Sequence, residues 1–164
     1  MPANDYQFVT HWRLPGTPEE ISDLLGDTAL LRRIWPSVYG GAREVEPGGE
    51  HGLGKIVRMR TVGHLPYVLR WAYKVVESRH PYGYTIEARG DLAGRGVWTL
   101  TQDGDWTNLT YDWHVRAEKP LLRWLSPLLK PLFARNHDKV MADGQGALLT
   151  ELRRRHASGG PPPS

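Results

Sequence analysis

Apolar and polar residues alternate from Tyr6 to Leu14, with Phe8, Thr10, Trp12 and Leu14 on one side and Val9, His11 and Arg13 on the other. A period of two sends successive side chains to opposite faces, so this segment predicts a strand, ended by Pro15-Gly16. Helical spacing follows. Thr17 is placed as an N-cap, Pro18 at the first helical position and Glu20 as the closing member of a capping box, ahead of the apolar stripe Ile21, Leu24, Leu25. A second short helix is expected from Thr28 to Trp35, stopped by Pro36.

Turn signals then recur at Pro47-Gly48-Gly49, Gly63-His64-Leu65-Pro66, His80-Pro81-Tyr82-Gly83, Gly90-Asp91 and Asp103-Gly104-Asp105. Between them lie six more strand patterns, Ala42–Glu46, Gly54–Val62, Tyr67–Ser78, Tyr84–Ala88, Gly96–Gln102 and Thr107–Ala117. Such short links favour antiparallel neighbours, so the pattern predicts a seven-stranded meander. Alternation places Tyr67, Leu69, Trp71, Tyr73 and Val75 on one face. Tyr84, Ile86 and Ala88, then Trp98 and Leu100, then Leu109, Tyr111, Trp113 and Val115 share it.

Beyond Lys119, Pro120, Pro127 and Pro131 interrupt an apolar and basic stretch, and three prolines argue against one continuous amphipathic helix there. Packing across the end of the sheet is the expected role of this stretch, with a lid over a cavity or a transient membrane contact as the alternatives. A proline-free run from Leu132 to Arg155 reads as a long helix, with Phe133, His137, Val140, Met141, Gly144, Leu148 and Leu152 as its stripe. The domain is expected to span residues 1–156, followed by a disordered Gly/Pro tail at 157–164.

Composition sharpens this picture in one respect: seven tryptophans stand against two phenylalanines, and there is no cysteine. Trp12, Trp71, Trp98 and Trp113 fall in phase on strands, so one sheet face is lined with indoles. That face either packs a bulky core or walls a cavity for a flat hydrophobic ligand. Absence of cysteine removes disulfides, thiol catalysis and Cys-ligated metals. No His-x-His, HExxH or grouped carboxylates suggest another metal site, and no glycine fingerprint or nucleophile elbow suggests a nucleotide or Ser hydrolase chemistry; no cofactor is expected. No apolar run is long enough to cross a bilayer and no secretory signal is visible, so a cytoplasmic location is expected. The segment from Lys119 to His156 holds eight Lys/Arg against three acidic residues. A solvated helix face explains this bias, and no nucleic-acid motif accompanies it.

Candidate chemistry is sparse. His137 lies in the helical stripe as a candidate acid or base, and Tyr73, Tyr84 and Tyr111 put phenols on the inner face. A satisfied buried histidine and phenols bonded to backbone carbonyls are the alternatives. Arg58 and Arg60 share one face of the third strand and Arg70 is out of phase with Trp71; all three are expected in solvent, with an inward arginine binding a carboxylate or an enolate as the alternative, and His11 and His114 are expected on the outer face.

The order strand, two short helices, six-strand meander and long terminal helix resembles the α+β helix-grip fold. Thr17-Pro18-Glu19-Glu20-Ile21, Ile34-Trp35-Pro36, Leu65-Pro66-Tyr67, Gly90-Asp91-Leu92-x-Gly94-Arg95-Gly96-x-Trp98-Thr99-Leu100 and Asn136-His137-x-x-x-Met141-x-x-Gly144 carry the likeness. The chain is thereby similar to the START/Bet v 1-like superfamily, in its polyketide cyclase/dehydrase-like group, over about Tyr6 to Arg155. The resemblance implies a curved sheet wrapped around the terminal helix with a deep cavity between them. By position, the wall it implies is Trp35, then Trp71 and Tyr73, Tyr84 and Ile86, Trp98 and Leu100, Tyr111 and Trp113, and finally Phe133, His137 and Met141 of the helix. It also implies a partner, a hydrophobic aromatic, polyketide-like or lipid-like small molecule, which the protein binds or transports. The alternative is a cyclase/aromatase-type enzyme acting by cavity shape, with His137, Tyr111 and Tyr73 as its catalytic candidates. An interaction domain using the basic terminal segment is a third reading.

Overall fold

The computed structural model describes residues 4–62 and 68–159, apart from the side chain of Leu121. The Gly63-His64-Leu65-Pro66 turn signal, the Leu65-Pro66-Tyr67 motif with Tyr67 itself, and the tail from residue 160 lie outside the described residues. Seven strands form one sheet: β1 (Asp5–Pro15), β2 (Arg43–Glu46), β3 (Ile56–Thr61), β4 (Leu69–Ser78), β5 (Gly83–Gly90), β6 (Leu92–Asp103) and β7 (Trp106–Ala117). Their order is β1-β7-β6-β5-β4-β3-β2, and every pair is antiparallel. Consecutive strands from β2 to β7 are neighbours because their links are short. The chain crosses between the edge strands β1 and β2 through α1 (Pro18–Leu25), α2 (Thr28–Ile34) and α3 (Pro36–Tyr39). The third helix, a single turn, is one more than the sequence pattern suggests: Pro36 ends α2 and, with its φ preset, starts α3. Register shifts between Val75 and Glu77 in β4, and between Glu44 and Glu46 in β2, bend their strands and curve the sheet.

The last element, α4 (Pro120–Ala157), is one 38-residue helix. This corrects the expectation that Pro120, Pro127 and Pro131 break the stretch. Pro120 sits at the helix start, where its missing N–H has no intrahelical partner to lose. Pro127 and Pro131 are exposed, so the carbonyls they leave without a donor face water, while Leu122, Ser126 and Phe133 hold the opposite side buried.

The interior divides lengthwise. Leu14, Leu100 and Leu109 of the sheet, Ile21 and Leu31 of the short helices, and Leu148 and Leu152 of α4 are fully buried and fill one end. Each is worth roughly 1.5–3 kcal/mol of apolar burial. Thr17 caps α1 by accepting from the Glu20 N–H at 3.2 Å. The Glu20 carboxylate does not complete the capping box; it meets His156 Nε2 at 2.8 Å and ties α1 to the end of α4. Toward the other end the side chains are larger and more aromatic, and they do not fill the space.

Candidate functional site: an aromatic cavity

A cavity of about 130 Å³ lies between the sheet and the middle of α4. Alternation builds it. On β4 to β7 every second residue points inward, bringing Trp71 and Tyr73, Tyr84 and Ile86, Trp98, and Tyr111 and Trp113 onto its wall. Trp35 enters from the α2–α3 junction, and Phe133, His137 and Met141 from one face of α4. Trp98 and Tyr111 are paired across β6 and β7 and stack with centroids 4.3 Å apart. The series continues from Tyr111 to Trp113 at 5.8 Å and from Trp113 to Trp71 at 5.8 Å. Contacts of this kind add about 0.5–1.5 kcal/mol each beyond burial, so the wall is stiff.

Two glycines make the ring positions attainable. A Cβ on Gly96 of β6 would come within 2.6 Å of the Tyr111 hydroxyl and 2.9 Å of the Trp113 ring. A Cβ on Gly144 of α4 would come within 2.5 Å of the Trp35 indole. Trp35 also donates its indole N–H to the Val140 carbonyl at 2.8 Å, which fastens the short helices to α4. Trp71 donates to Thr61 Oγ1 at 3.1 Å. Two of the four wall indoles therefore use their donors within the protein.

The polar atoms of the wall are uncharged at neutral pH. Burial pushes the Tyr73 phenol well above its usual 10, and the nearby phenols Tyr39, Tyr84 and Tyr111 push it further. Tyr84 and Tyr111 are raised well above 10 for the same first reason, and Tyr39, hydrogen-bonded to Tyr73, is raised as well. Burial lowers His137 to about 4, against a smaller opposing pull from Asp138. His137 shares a hydrogen bond with Thr10 Oγ1 at 3.2 Å and stacks on Phe8 at 4.4 Å. The phenols are hydrogen-bond donors rather than bases, and His137 is a neutral imidazole with little basicity. No Asp, Glu, Lys or Arg side chain lines this cavity among the described residues.

Leu100 does not line the cavity with the other positions named from the sequence. It is buried at the filled end, where it pairs with Leu109. Trp12 stands behind the wall, between Trp35 at 5.6 Å and Trp98 at 5.2 Å. Trp106 is partly exposed and carries Arg13 over its ring, and Trp124 is on the surface. Arg58, Arg60 and Arg70 are exposed, as are His11 and His114. Sequence reasoning missed Tyr6 and Phe8 as wall residues, although Phe8 was placed on the right face, together with Tyr39, Met59, Thr61 and Asn136. Met59 and Thr61 were legible: with Arg58 and Arg60 outside, the alternate positions of β3 must point in. Tyr39 was not, because α3 was unforeseen.

A family profile for polyketide cyclase/dehydrase and lipid transport proteins matches residues 7–147. No curated protein sequence matches. Among solved structures, the TTHA0849 protein of Thermus thermophilus superposes with a TM-score of 0.73 at 17% identity, over 89% of this chain and 99% of that one. The Zhui aromatase/cyclase from Streptomyces sp. R1128 gives 0.70 at 19% identity, over 96% and 99%. A START superfamily protein from Mycobacterium smegmatis gives 0.69 at 13% identity, over 90% and 97%. These identities speak for the fold alone, which is the helix-grip arrangement. With the profile spanning the strands, the short helices and the cavity-lining half of α4, the chain belongs to the polyketide cyclase/dehydrase and lipid transport family.

Proposed function

We propose that this protein binds, and thereby sequesters or carries, an uncharged hydrophobic small molecule in the aromatic cavity. The observation that carries the reading is the wall itself: stacked indoles and phenols around unfilled space, with no ionised group at neutral pH. Desolvating a charged ligand there would cost several kcal/mol with no opposite charge in the wall to offset it, so the wall favours a neutral one. The proposed contacts are Trp71, Trp98 and Trp113 on the ring faces, Tyr73, Tyr84 and Tyr111 as hydrogen-bond donors, and Trp35, Ile86, Phe133, His137 and Met141 closing the sides. Leu100 supports this wall from behind. Size narrows the ligand further. A cavity of about 130 Å³ is close to the roughly 150 Å³ that accommodates benzene and below the roughly 300–1,000 Å³ of drug-sized sites. The cavity as it stands seats one ring system, and a fatty acyl chain or an extended polyketide requires the wall to move.

The test is native mass spectrometry of gently purified protein, followed by tryptophan quenching with neutral aromatic compounds, polyketides and fatty acids. Saturable quenching by a compact aromatic compound is expected, with at least a tenfold loss of affinity in Val115→Phe, which fills the space. Repeated absence of both adducts and quenching would sink the proposal.

A cyclase/aromatase activity is the second reading, favoured by the row of neutral phenols on one wall, which suits hydrogen bonding to ketone oxygens. Its likeness in fold to the Zhui aromatase/cyclase points the same way. The exposed arginines leave the phenols to stabilise any enolate without a cation. On this reading Tyr111→Phe abolishes turnover of a polyketide that it still binds, and an unchanged rate counts against it.

A further inference from the structure

The first four turns of α4 are apolar on both sides, unlike an ordinary surface helix. Leu122, Ser126 and Phe133 are buried on its inner side, yet the outward face is apolar as well: Trp124 is 86% exposed and Leu128 80% exposed. These two lie one turn apart, and Pro127 and Pro131 are exposed on the same side. A water-facing tryptophan and leucine on adjacent turns form an apolar strip that folding does not use. Within this stretch of the helix the charges have one sign. Lys119, Arg123, Lys130 and Arg135 fall between Glu118 and Asp138 with no acidic residue among them. Lys130 is held near the sheet by the Asp5 carbonyl at 3.1 Å and the Tyr6 ring. Lys119 lies 3.8 Å from Asp91. Arg123 and Arg135 are exposed and make no ion pair among the described residues.

We propose that this face of α4 docks on an anionic lipid surface, with Trp124 and Leu128 inserted at the headgroup level and Arg123 and Arg135 against lipid phosphates. Indole suits that depth, being apolar in bulk with one N–H for the wet side, and basic residues at the edge of an apolar strip supply the electrostatic part of interfacial binding. The site is superficial, as such binding requires: no helix among the described residues is long and apolar enough to cross a membrane. Docking also has a place in the architecture. Leu128 and the cavity-lining Phe133 are roughly 7.5 Å apart along the helix axis at 1.5 Å per residue. The stretch of helix that meets the lipid with its outer face thus overlaps the stretch whose inner face reaches the cavity. The proposal does not depend on what the cavity binds.

The experiment is flotation of the full chain with vesicles of phosphatidylcholine alone and of phosphatidylcholine with 30% phosphatidylglycerol, as wild type, Trp124→Ser/Leu128→Ser and Arg123→Glu/Arg135→Glu. Both pairs are exposed, so circular dichroism and thermal unfolding of the variants should match wild type. Expected results are at least tenfold stronger binding to the anionic vesicles and at least a tenfold loss in each double variant. A blue shift of Trp124 emission on binding, absent from Trp124→Phe, is expected too. No binding, equal binding to neutral vesicles or full binding by the serine variant overturns the proposal. So does a Trp124-dependent dimer in light scattering that leaves vesicles unbound, since the strip would then be a subunit interface.

Discussion

A single hydrogen atom in place of a methyl group at position 144 decides how closely α4 approaches the short helices. Alanine ordinarily favours a helix over glycine by about 1 kcal/mol, but overpacking costs about 1–3 kcal/mol, and the Trp35 ring is fixed by its bond to Val140. The clash should win. Gly144→Ala is expected to lower stability by up to about 2 kcal/mol in urea unfolding, whereas Gly146→Ala, with open space around its Cβ, should raise it by up to about 1 kcal/mol. Matching changes of the two would show that Trp35 yields. His137 sets a pH dependence by the same kind of local reasoning. Its folded pKa of about 4 lies below the ordinary 6.5, so the unfolded chain takes up the proton first. The contribution is complete above 6.5 and is lost as pH falls from there toward 4, by about 1–2 kcal/mol for a group that keeps some contact with water. His137→Gln should therefore lose less stability than wild type between pH 7 and 4.5, and parallel losses would contradict the assignment.

Elements were legible where one period dominated. Seven strands followed from alternation bounded by turn signals, with an inward phase for β1 and β4 to β7, and Thr17, Pro18 and the stripe behind them located α1. Alternation reports phase, not contact distance, which is why Leu100 was grouped with a wall it does not reach. The start of α4 was missed for a different reason. Proline is read as a helix breaker because of what it does inside a ladder surrounded by protein, and here two prolines lie on the water side of a helix anchored by Leu122 and Phe133. They still weaken it. Pro127→Ala restores a ladder donor and relieves the ring clash, offset by greater freedom in the unfolded chain, for a net gain of about 1–2 kcal/mol. Higher thermal stability together with stronger helical dichroism is the expected signature.

Across the whole molecule, one interior holds two kinds of packing. The end built from Leu14, Leu109, Leu148 and Leu152 is filled, and the end built from the aromatic wall is not. Truncations should register the difference. Leu148→Ala opens a void in the filled end and should cost about 3–5 kcal/mol, whereas Val115→Ala merely widens space already present and should cost under about 2 kcal/mol. Denaturant unfolding of the pair, with equal slopes, is the measurement; equal losses would argue against a division of the core. The cavity itself was only half legible, since a surplus of indoles on one face is compatible with a core or a wall, and the choice depends on small residues such as Gly96 and Gly144 whose partners are distant in sequence.

The distribution of the indoles also gives the molecule two separate optical signals. Trp12 touches both Trp35 and Trp98, and Trp71 touches Trp113, so light absorbed by one passes readily to a neighbour, and their emission reports the interior collectively. Trp124 stands apart in water and emits at longer wavelength. Emission collected at the long-wavelength edge favours Trp124 and the partly exposed Trp106 over the interior, so events at the cavity and at the surface of α4 can be followed in one sample without attaching a label.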